Sequence, residues 1–126
     1  MNETMINYNV PRNSRGQNAN IKGHIVDDKT MKRNGFHYDT KYEQWDYVQE
    51  LYDEITLYIH ISEGDEDNVV IDVIDDDFCQ PYDYQSYLGN KPDARVPIIV
   101  HRQVQSKMKE LMKAGIVTGY TLEDYV

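Results

Sequence analysis

The sequence predicts an α+β fold, with a small antiparallel sheet packed against a long C-terminal helix and a second helix in one domain. Three observations predict it. ITLYIHIS, residues 55–62, alternates apolar and polar side chains at a strand's period of two. VVIDVID, residues 69–75, is a second β-rich run beyond a Gly-containing polar stretch, which reads as an antiparallel hairpin. From Pro97 onward, PIIVHRQVQSKMKELMKAG sets Val100, Val104, Met108, Leu111 and Met112 on one helical face. A chain of 126 residues accommodates one such domain and one modest core.

Taken in order, residues 1–20 read as a flexible N-terminal arm. They are rich in Asn, carry Arg12 and Arg15, and show no apolar period. The domain is expected over 21–126. IKGHIV, Ile21 to Val26, is a short strand, and DDKTMKRNGF is a turn region ending in the turn signal Asn34-Gly35. TKYEQWDYVQELYDE offers the second helix. Thr40 would be its N-cap, with Glu43 three residues on as in a capping box. Trp45, Val48, Leu51, Tyr52 and Ile55 recur at spacings of three and four. An extended conformation over 45–52 is the alternative.

The strand 55–62 puts Ile55, Leu57, Ile59 and Ile61 on one face, with Thr56, Tyr58, His60 and Ser62 on the other. EGDEDN then forms a polar turn, and the hairpin tip is expected to carry Glu63, Asp65, Glu66 and Asp67. After the second strand, QPYDYQSYLGNKPDA is either a loop or a short helix from Pro81 to Gly89. Lys107, Lys109 and Lys113 suit the negative end of the C-terminal helix, and Gly115 is its C-cap. The tail from Ile116 adds a final short strand.

Charge is the most unusual feature. The net charge is −9 and the isoelectric point is near 4.7. Between Lys41 and Lys91 there is no lysine or arginine, yet those 49 residues hold 14 carboxylates and seven of the 11 tyrosines. Such a surface repels phosphate backbones and anionic lipids, and its electrostatic partners are basic. Direct nucleic-acid binding and membrane association are therefore not expected. No apolar run approaches the ~18–20 residues of a membrane span, and MNETMINYNV contains no signal-like apolar stretch. A single cysteine cannot make an internal disulfide, which points to the cytoplasm.

Residue spacing argues against the common chemical sites. From Asp65, the alternating positions of a calcium-binding loop reach Asp67 and then Val69, so the pattern fails. One cysteine and four scattered histidines show no zinc-ligand spacing. No phosphate-binding glycine loop is present. Cys79 follows three aspartates, whose charge opposes thiolate formation, and it reads as a small buried or half-buried residue. No metal, cofactor or catalytic residue is therefore expected.

The remaining pattern interleaves carboxylates with tyrosines. Candidate partner-binding residues are Glu63, Asp65, Glu66, Asp67, Asp75, Asp76, Asp77, Tyr82, Asp83, Tyr84 and Tyr87. In size and charge pattern, the block from Tyr42 to Asn90 resembles the small acidic accessory proteins of bacteriophages and mobile elements, of the anti-CRISPR or anti-restriction type. The resemblance is one of class and carries no defined motif. It implies a non-enzymatic inhibitor in the host bacterial cytosol, presenting carboxylates and tyrosines to the basic groove of a nucleic-acid-binding effector. Two other readings stay open. One is a ligand-binding or enzymatic domain with a pocket near His60, Asp72 and Cys79. The other is a structural homo-oligomer.

Overall fold

The computed structural model describes residues 21–84 and 95–122. The arm 1–20, Tyr87 and the end of the expected 81–89 helix lie outside the described residues. The elements in order are β1 (Lys22–Gly23), α1 (Asp28–Arg33), β2 (His37–Asp39), β3 (Gln44–Tyr52), β4 (Ile55–Ser62), β5 (Asp65–Asp75), β6 (Gln80–Pro81), α2 (Arg95–Lys113) and β7 (Val117–Thr118). The fold is α+β. A five-stranded antiparallel sheet, ordered β2-β3-β4-β5-β6, packs one face on α2, and β1 pairs with β7 in a separate two-stranded ribbon.

The central hairpin forms for the expected reason. Leu57, Ile59 and Ile61 on β4 are fully buried, while Tyr58 and His60 are half-buried on the opposite face. Across the sheet, Val73 and the half-buried Ile71 join them against Val100, Val104, Met108 and Leu111 of α2. The hairpin tip is tighter than the sequence predicts. Only Glu63 and Gly64 make the turn, with Gly64 at φ 82, and Asp65 already pairs with Ser62. The next paired residues are His60 and Val70, so the segment 66–69 bulges from the ladder. Gly23 packs into this bulge, where an added Cβ would meet the Glu66 carbonyl oxygen at 2.9 Å.

Residues 44–52 are a strand, which corrects the expected helix there. They pair with β4 from Gln44↔Ser62 to Tyr52↔Ile55 through a two-residue turn, Asp53-Glu54. Trp45 and Leu51 are six residues apart. That spacing puts them on one side of a strand but about 120° apart on a helix. Both are buried, whereas Val48 is 58% exposed. Thr40 and Glu43 belong to a turn in which the Asp39 carboxylate accepts from the Lys41 and Tyr42 amides. Glu43, at φ 51, ends that turn.

The second helix is α1, within the stretch expected as a turn. Asp27 caps it by accepting from the Thr30 amide at 2.8 Å and its hydroxyl at 3.0 Å. Helices α1 and α2 end in the same way. Gly35 (φ 92) and Gly115 (φ 80) carry the chain out, while Phe36 N bonds Met31 O and Ile116 N bonds Leu111 O. Lys107, unlike Lys109 and Lys113, has its side chain buried. Its Nζ lies 4.2 Å from the Tyr47 ring centre and donates to the Asn34 carbonyl at 3.0 Å. Pro81 lies in β6, opposite Ile74, so a helix in this stretch starts later than expected, with Tyr84 helical.

Candidate functional site

Two turns meet at one end of the sheet. The β3–β4 turn supplies Asp53 and Glu54, and the segment joining β5 to β6 supplies Asp76, Asp77, Phe78 and Cys79. Asp53 adopts φ 48, a conformation that Asp tolerates well. The two turns are tied by the Asp76 amide, which donates to the Glu54 carbonyl at 2.8 Å. Glu50 projects nearby from β3, opposite Thr56. These carboxylates crowd one another. The Glu54 carboxyl is held above its ordinary range chiefly by the charge of Asp77, then by burial and by Asp53, Glu50 and Asp76. Among the described residues, every charged group acting on it is an acid.

The acids here are not equivalent. Asp76 accepts from the Thr56 hydroxyl at 2.5 Å and the Tyr58 hydroxyl at 3.1 Å, so it belongs to the framework. Burial, followed by the bond to Asp76, raises the Tyr58 phenol above its ordinary range. Asp75 accepts from the Asp77 amide. Glu50, Asp53, Glu54 and Asp77 are exposed and turn their charge to solvent. Phe78 stands beside them at 72% exposure, and Tyr52 is also exposed.

The other acidic group lies elsewhere. Glu63, Asp65, Glu66 and Asp67 sit at the opposite end of β4, seven residue steps or about 24 Å away. Each has an intramolecular partner. Tyr38 donates to Glu63 at 2.5 Å, Asn68 to Asp65 at 2.8 Å and the Ile25 amide to Glu66 at 2.6 Å, while Lys22 lies 3.9 Å from Asp67. The bond to Glu63 pushes the Tyr38 phenol up to about 12. The expected residues thus form two separate clusters and not one surface.

Among the expected aromatic anchors, Tyr84 is 6% exposed with its ring 6.0 Å from His101, and Tyr82 is half-buried against the core. Their place at the surface is taken by Phe78 and Tyr52. Asp83 is exposed. Sequence reasoning missed Glu50, Asp53, Glu54 and Phe78. The signal for the three acids was the Asp53-Glu54 pair between two β-rich runs, which marks a tight hairpin once residues 44–52 are read as extended.

His60 and Asp72 share one face of the sheet around Tyr58, whose ring stacks on His60 at 6.5 Å and whose phenol lies within electrostatic reach of Cys79. His60 Nδ1 pairs with Asp46 at 2.7 Å, towards β3, while Asp72 lies opposite Tyr58 on β5. Cys79 is exposed in the loop at the acidic end, which corrects the expected burial. Its thiol contacts the Asp76 carbonyl at 3.6 Å. Among the described residues, no group of three or more His, Cys, Asp or Glu is placed to hold a metal ion, and no helix is long and apolar enough to cross a membrane. No family model, curated protein or solved structure matches the chain.

Proposed function

We propose that the chain is a non-enzymatic binding protein that inserts the Glu50–Glu54 and Asp77–Phe78 end of its sheet into a basic groove. The partner is a nucleic-acid-binding effector of bacterial defence, of the kind that anti-CRISPR and anti-restriction proteins block. The observation that carries this reading is the convergence of four exposed carboxylates, three on two adjacent turns and Glu50 on the neighbouring end of β3, beside an exposed phenyl ring. Carboxylates held close together occupy the sites where a partner's Arg and Lys would take phosphates, and they speed encounter through long-range attraction. Phe78 adds apolar area that needs little side-chain ordering on binding. The opposite end is a poorer candidate, because its acids already have intramolecular partners.

A pull-down from bacterial lysate tests this directly. Wild-type protein at low salt should retain a basic nucleic-acid-binding protein. Raising the salt, adding competitor DNA, or changing Glu50, Asp53, Glu54 and Asp77 together to their amides should each release it. Retention unchanged by all three treatments would sink the proposal.

A further inference from the structure

The same end of the sheet holds an open strand edge. β2 spans only His37–Asp39 and pairs with β3 only from Gln44 to Asp46. Preceding β2, the chain turns away at Gly35, where an added Cβ would meet the Tyr47 ring at 2.7 Å. From Val48 to Tyr52, β3 therefore has β4 on one side and, among the described residues, no strand on the other. Among the described residues, no backbone hydrogen bond outside the sheet engages these five residues. A strand edge of this kind is a template for an extended segment unless something deters pairing.

The side chains specify what the edge accepts. Val48 is 58% exposed and offers an apolar contact. Glu50 shares its face two residues on, and the strand runs directly into Asp53 and Glu54. An acidic or uncharged strand laid here would bury or crowd those carboxylates without compensation. A second copy of this chain, with net charge −9, would bring Glu50 and the acidic turn towards identical charges. A segment with Lys or Arg opposite Glu50 turns the same deterrent into a contact.

We infer that the β3 edge, Val48 to Tyr52, is a strand-addition site for an extended, basic segment of the partner. This rests on the proposed function, and it adds how the partner docks. The acidic turns would attract the segment, while the open backbone groups of β3 would hold it in register.

The test uses the full chain and two synthetic peptides of about ten residues that alternate Lys and Val. The second is N-methylated at alternate amides, so that it keeps its charge but loses one row of donors. The unmodified peptide should bind at least about tenfold more tightly, the equivalent of losing one or two backbone hydrogen bonds. Amide exchange at Val48–Tyr52 should slow only with that peptide. Equal binding of both, with changes confined to Asp53, Glu54 and Asp77, overturns strand addition and leaves the electrostatic reading standing. Protection of the β3 amides in a peptide-free dimer assigns the edge to a second copy and also overturns it. If neither peptide binds while the lysate partner is still retained through the acidic turns, the edge is refuted and the broader function is not.

Discussion

Asp76 separates framework from binding surface, and its removal is the sharpest perturbation. Its carboxylate accepts from Thr56 and Tyr58. Thr56 is 7% exposed, so once its acceptor is gone the hydroxyl has little water to turn to. A hydrogen bond to a charged acceptor contributes about 1.5–3 kcal/mol. Tyr58 is only half-buried and can rehydrate, so its share is smaller. Against this, Asp76→Ala relieves some repulsion on Glu54, but Asp76 is the weakest of the four acids acting there. The net loss should be about 2 kcal/mol. In a chain of this length that lowers Tm by about 6–10 °C. Calorimetry on Asp76→Ala, Thr56→Val and the double variant should yield a coupling of at least about 1 kcal/mol. Strictly additive losses, with coupling below about 0.3 kcal/mol, would refute the assignment of Asp76 to the framework. Asp77→Asn is the counterpart. It removes the largest charge effect on Glu54, so Tm should hold or rise while partner binding weakens.

Other consequences are open to measurement. Gly23→Ala drives a methyl against the Glu66 carbonyl and the Val69 side chain, and should cost about 1–3 kcal/mol in thermal unfolding; an unchanged Tm would mean that β1 does not pack into the bulge. The Tyr38 phenol is raised above its ordinary 10.0, so the stability from its bond to Glu63 is complete below pH 10 and lost as pH rises through about 12. NMR titration should find Tyr38 still protonated at pH 11 and shifted back towards 10.0 in Glu63→Gln; coincident titrations would contradict the bond. Burial holds the Lys107 ammonium below 10.5, with Glu110 opposing, so the folded state binds this proton less firmly than the unfolded chain. Wild type should therefore gain stability relative to Lys107→Met as pH rises towards 10.5, and a flat or falling difference would count against this environment. Cys79 is exposed, so iodoacetamide, a neutral reagent, should modify it at similar rates in native and denatured protein; strong native protection would place the thiol elsewhere.

The sequence by itself determined the parts whose cause is local. The alternation in 55–62 placed Leu57, Ile59 and Ile61 on the core face, and the apolar stripe from Val100 to Leu111 located α2. Gly115 marked the end of that helix because only a residue that readily takes positive φ leaves it as this one does. Asp27 was an equally local signal for α1, overlooked beside the stronger turn signal at Asn34-Gly35. Tertiary structure decided the rest. Trp45 to Ile55 carries spacings that suit a helix, and pairing along the whole of β4 made it a strand. That one change folded Glu50, Asp53 and Glu54 back beside Asp77, and it bared the β3 edge. It also set Glu63–Asp67 at the far end of the sheet. Charges more than 20 residues apart along the chain became neighbours because a hairpin's register, which no local spacing encodes, chose which turns would meet.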